Sequence, residues 1–127
     1  MKLTWSAEVC AIAASQGHLE FLKWARENGC NWNKDTPKNA AQNGYLEILK
    51  WVRENNCPWN SSTCHMAAQG GHFEVLQWAH ENGCNWTFRA CDFAALGGYF
   101  EILKWLRTKN CSWSASTCAN AAQGGHY

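Results

Sequence analysis

A 27-residue period runs through this chain without a slip. Gly recurs at Gly17, Gly44, Gly71, Gly98 and Gly125. One Trp column runs Trp24, Trp51, Trp78, Trp105, and a second runs Trp5, Trp32, Trp59, Trp86, Trp113. A Cys column runs Cys30, Cys57, Cys84, Cys111. A strict period of this length implies a solenoid, in which each unit packs only on its neighbours. Such an array presents a long surface rather than a deep pocket, which favours binding over catalysis.

Within each period the signals read loop, short helix, tight turn, longer helix. In residues 57–83 the loop is CPWNSS, Thr63 is placed to cap the first helix, and CHMAAQG forms it. Pro37, just after Thr36, suits the opening of the equivalent helix. Paired alanines recur at Ala13-Ala14, Ala40-Ala41, Ala67-Ala68, Ala94-Ala95 and Ala121-Ala122, and let two helices approach closely. Gly70-Gly71 then breaks the chain, because Gly accepts the positive φ needed after a helix end. The second helix carries Leu19, Phe21, Leu22, Trp24 and Ala25 as one broad apolar stripe. Glu20, Lys23 and Glu27 lie opposite and pair at helical spacing. The helix ends at Gly29, Asn56, Gly83 or Asn110, the two residue types that best accept a left-handed cap. No strand pattern appears. The fold expected is an all-α solenoid over residues 1–127, with four units and a half unit.

The bulk numbers narrow the function. A net charge of +1 gives no push toward nucleic acid or a membrane surface. Apolar residues are spread through the period, so no segment approaches a membrane span. The opening MKLTWSAEVC reads as no signal peptide, which places the chain in an intracellular setting, cytoplasm or nucleus. Eight cysteines invite a disulfide framework. The pairs seven apart argue against it: Cys57 with Cys64, Cys84 with Cys91, and Cys111 with Cys118 become Cys30 with Pro37 in another unit. One member is lost while the other stays, which suits small buried thiols packing like Ala. The sequons at Asn60, Asn85 and Asn110 are then chance matches.

No unit turns polar to cap the stack, although caps are what keep an isolated solenoid soluble. A fragment of a longer array is expected, with end-to-end self-association as the other way to cover such ends. Val9, Ile12 and Ala13 face one end, and Ala119, Ala121 and Ala122 the other.

The repeat resembles the ankyrin repeat. TPKNAAQNG at 36–44 and TCHMAAQGG at 63–71 partly meet the pattern Thr-Pro-Leu-His-x-Ala-Ala, and GHLEFLKWARENGC at 17–30 is similar to its second helix. The ankyrin unit has 33 residues, and the six missing here fall where ankyrins build a β-hairpin finger. The ankyrin His slot holds Ile12, Asn39, Met66, Phe93 and Asn120. In length and Trp content the repeat is similar to short ankyrin-like repeats of giant DNA viruses, amoebae, oomycetes and brown algae. The resemblance implies a non-enzymatic scaffold that binds proteins through a concave surface of first helices and loop ends, needing no cofactor.

That surface is where the units differ most. Lys34, Lys38, His65, Met66, Phe88, Arg89, Asp92, Phe93 and Leu96 are the candidate partner-binding residues. Phe88, Phe93 and Leu96 put apolar groups where other units are polar, which makes a candidate anchor. Neutral variation at exposed sites explains such differences equally well. The helical Trp column is expected in the core. The loop Trp column either seals the loop side or offers a row of exposed rings to a glycan. His18 and His72 share a slot with Tyr45 and Tyr99, which suggests a structural role near the turn. No ligand spacing suits a metal, and no catalytic motif is present.

Overall fold

The computed structural model describes residues 5–111 and Thr117. Trp113, Cys118, the Ala119–Ala122 slots, Gly125 and the rest of the half unit beyond Thr117 fall outside the described residues. So does Met1.

Eight helices alternate in chain order, and no strand occurs among the described residues. They are α1 (Ala7–Ser15), α2 (Leu19–Glu27), α3 (Asp35–Gln42), α4 (Leu46–Glu54), α5 (Ser61–Gln69), α6 (Phe73–Glu81), α7 (Arg89–Gly97) and α8 (Phe100–Thr108). Each first helix packs on the first helix of the next unit, and each second helix packs on the first helix of its own. The alanine pairs make this spacing workable. Ala14, Ala40, Ala41, Ala67, Ala68 and Ala94 have no exposed surface at all.

The entry to each first helix is built differently from the sequence expectation. Thr63 is not the cap. It is the third residue of α5 and wholly buried. Asn60 takes the role, its Oδ1 accepting from the Ser62 N–H at 3.0 Å. The same slot in other units does the same: Asn33 Oδ1 accepts from Asp35 N–H at 2.9 Å, and Thr87 Oγ1 from Arg89 N–H at 3.3 Å. A side chain reaching two residues forward suits Asn and Thr, whose short polar groups mimic a backbone turn. Pro37 sits in the first turn of α3, where its missing N–H costs nothing.

The second helices end as expected. Asn56 and Asn110 are left-handed at φ 67° and 64°, in the slot where Gly29 and Gly83 take 89° and 91°. Salt links follow the expected spacing, Glu20–Lys23, Glu47–Lys50 and Glu101–Lys104, at 3.7–3.9 Å. They lie on exposed faces and contribute little each.

The helical Trp column departs from expectation: it is not core. Trp24 is 46% exposed, and Trp51, Trp78 and Trp105 are only partly buried. The reason is angular. Trp24 follows Leu22 by two residues, which is about 200° around a helix of 3.6 residues per turn. Leu22 and Ala25 therefore take the interior, and the indole is carried to the flank. There it meets the loop Trp of its own unit edge-to-face, with centroids 5.6–6.0 Å apart in Trp32–Trp51, Trp59–Trp78 and Trp86–Trp105.

The loop Trp column seals. Trp32, Trp59 and Trp86 pack against the core, and each carries a side chain from the preceding second helix on one face. Arg26 lies 4.1 Å from the Trp32 centroid, Arg53 4.2 Å from Trp59, and His80 stacks on Trp86 at 4.4 Å. Arg26 and Arg53 each also donate to the carbonyl of the Cys that closes their unit, at 2.6 Å. One guanidinium thus ties a helix end and the next unit's loop together.

The seven described cysteines are free and buried. The closing column has a repeated purpose. Cys57 Sγ donates to Asn33 O at 3.5 Å and Cys84 Sγ to Asn60 O at 3.4 Å, joining the end of each unit to its own entry loop. Burial pushes the Cys57 thiol up to about 12.

Candidate partner-binding surface

The first helices and their entry loops form one continuous face of the array. Phe88 immediately precedes α7 and is 48% exposed, and Leu96 near its end is 51% exposed. Phe93 lies one turn before Leu96 on the same side of α7 and is partly buried. Met66, in the slot one unit back from Phe93, is also partly buried. Ile12 occupies that same slot in the first unit and is 53% exposed. Its apolar character was the available signal, since Met66 and Phe93 share its column, but Asn39 between them hides the row in the sequence. Asn39 is not spare: its Nδ2 donates to Ala11 O in the preceding unit at 3.2 Å.

Around the apolar row the charges are mostly engaged locally. Lys34 and Arg89 are exposed. Lys38 pairs with Asp35 at 3.4 Å. Asp92 is partly buried and accepts a hydrogen bond from the Thr117 hydroxyl of the following unit. Between the first two units the face holds a shallow groove of about 460 Å³, lined by Glu8, Ala11, Ile12, Asp35, Lys38 and Asn39.

His65 must be removed from the accessible set. It is 7% exposed and its ring is turned into the seam between two units. Its Nε2 accepts from the Thr87 N–H at 3.1 Å and lies 3.2 Å from Thr87 Oγ1. The Phe93 ring stands 6.1 Å away. Burial first, and Arg89 second, lower its affinity for a proton. Variation in this slot therefore records how neighbouring units fit, with Asp92 bonded across the next seam. A sequence cannot separate a residue that varies for its neighbour from one that varies for a partner.

The slot shared by His18, Tyr45, His72 and Tyr99 is structural in three of its four members. Tyr45, His72 and Tyr99 each lie against the turn glycine of the preceding unit, Gly17, Gly44 and Gly71. Among the described residues no group of three or more His, Cys, Asp or Glu side chains converges on a point that suits a metal ion. No helix among them is long and apolar enough to cross a membrane.

The geometry defines a class: a helical solenoid of tandem helix–turn–helix units, with a variable face on its first helices. The chain belongs to the ankyrin-repeat family. The family model for ankyrin repeats in many copies matches residues 38–80 and again residues 64–107. A comparison with curated proteins finds no match.

Proposed function

We propose that this chain is a non-enzymatic scaffold that binds a protein partner across its first helices and entry loops. The observation that carries the reading is the exposure of Phe88 and Leu96 at the two ends of α7. Exposed large apolar groups on a surface that varies from unit to unit are candidate anchors for a partner. Ile12, Met66 and Phe93 extend the row, and Lys34, Arg89 and the Asp35–Lys38 pair give it a polar margin. Ankyrin-repeat chains act as protein-interaction scaffolds, which agrees with this placement. An intracellular setting suits a chain whose buried cysteines stand as free thiols.

The glycan reading has less support. Sugar rings stack on open indole faces, whereas Trp32, Trp59 and Trp86 each hold an arginine or histidine on one face.

Titration of the captured partner against variants tests the site. Phe88→Ala and Leu96→Ala should each weaken binding by roughly 1–3 kcal/mol while helical circular dichroism is retained. Unchanged affinity in both variants would place the interface elsewhere.

A further inference from the structure

The thiols that meet in space are not the pairs that stand closest in the sequence. Cys10 Sγ, on α1, lies 3.2 Å from Cys30 Sγ, which closes the same unit. Two units on, Cys64 Sγ on α5 lies 3.6 Å from the Cys84 carbonyl oxygen, and Cys91 on α7 and Cys111 hold the same two slots in the fourth unit. Each pair is separated by 20 residues. Each joins a first helix to the end of the second helix of its own unit. The second unit lacks the pair, because Pro37 stands opposite Cys57.

We propose that Cys10–Cys30, Cys64–Cys84 and Cys91–Cys111 are three disulfide-forming sites that staple the first, third and fourth units and leave the second unit open. In the first unit the sulfurs already stand 3.2 Å apart, and the repeat places the other two pairs in the same slots. Closure to about 2.05 Å therefore asks for a side-chain adjustment rather than a change of fold. The three loops do not interlock, so each pair closes independently. The loss of one partner at Pro37 breaks a unit's pair without touching the others, which explains why Cys57 survives alone as a donor to Asn33 O.

The oxidant is a low-molecular-weight disulfide of the glutathione class. In the first step a protein thiolate attacks one sulfur of the oxidant and expels one thiolate. The partner Cys then gives up its proton and attacks the mixed disulfide, expelling the second. Two protein thiols and one small disulfide become one protein disulfide and two small thiols, with electrons and protons balanced. All three pairs are buried, so reaction proceeds through local opening of the closing loop and quickens in urea below the unfolding transition.

The test is incubation of the whole chain in glutathione buffers of rising oxidised fraction, followed by alkylation, digestion and peptide mapping. The expected products are the three linked peptides, with Cys57 alkylated and the mass of the described cysteines lower by six hydrogens. Amide exchange should slow in α1, α5 and α7 and stay unchanged in α3. Cys84→Ala should remove one linkage and leave the other two. The proposal is overturned by linkage of Cys57 to Cys64 or Cys84 to Cys91. It is equally overturned if all these cysteines remain alkylatable after oxidising incubation with urea present.

Discussion

The His72 ring rests on Gly44, so closely that a β-carbon at position 44 would lie 2.6 Å from Nδ1. Gly44 is also left-handed, at φ 79°. Two constraints therefore act at one residue: a backbone conformation that L side chains resist, and a neighbouring unit's aromatic occupying the space of a side chain. Tyr45 on Gly17 and Tyr99 on Gly71 repeat the arrangement. The polar-tipped aromatic and the glycine are one device for setting the distance between units.

Gly44→Ala should therefore cost about 2–4 kcal/mol, adding ring displacement to left-handed strain. Gly83 is left-handed too, but a β-carbon there meets nothing within 4 Å. Gly83→Ala should cost only about 1 kcal/mol, and Gly83→Asn less, since Asn56 and Asn110 hold the same slot. Urea unfolding of the three variants measures this. Equal losses at Gly44 and Gly83 would remove the inter-unit contact from the explanation.

Thr63 is fully buried, and its Oγ1 has no hydrogen-bond partner. Val9 stands in the same slot of the first unit. Thr63→Val replaces an unpaired hydroxyl by a methyl of the same shape and should stabilise by about 1 kcal/mol. A lower melting temperature would show that the hydroxyl is satisfied.

His65 gives the array a pH dependence. Its neutral Nε2 accepts the Thr87 N–H, and burial with Arg89 nearby holds its pKa below the ordinary 6.5. The unfolded chain thus binds the proton more readily than the folded one. The stability contributed by neutral His65 is present above about pH 6.5 and is lost as the pH falls through the folded-state value. Melting temperatures taken from pH 7.5 down to pH 5 should fall more steeply for the native chain than for His65→Gln. Parallel curves would leave His65 out of the acid response.

Arg53 is the tie between α4 and the Trp59 loop, through its stack at 4.2 Å and its bond to Cys57 O. Arg53→Lys keeps the charge but loses the planar fork, and should cost roughly 0.5–1.5 kcal/mol. Collisional quenching of Trp fluorescence should rise as the Trp59 face opens. Unchanged quenching and stability would reduce the stack to coincidence.

The array and its punctuation were legible because they rest on local chemistry. Glycine and asparagine at the helix ends, paired alanines, and Glu–Lys spacing each carry their own physical reason within a few residues. What was not legible depends on direction in space. Leu22 and Trp24 are both apolar and two residues apart, yet one is wholly buried and the other 46% exposed. Apolar spacing counted both toward one stripe. The cysteines read correctly as buried free thiols, but which of them are neighbours was not legible: the fold turns Cys64 toward Cys84. Among the candidate surface residues, Phe88 and Leu96 are exposed and His65 is buried. The difference lies in the seam between units, which one unit's sequence does not encode.

A partner seated on the first-helix face, rather than the second-helix face, leaves a signature that site-specific photocrosslinking reads, because the adduct itself reports which face was covered. A photoreactive residue placed at Phe88, Leu96 or Met66 should give protein adducts in a native extract, and one placed at Glu47 or Glu74 on the second helices should not. Adducts from the second-helix positions, with none from Phe88, Leu96 or Met66, would put the partner on the second-helix face instead.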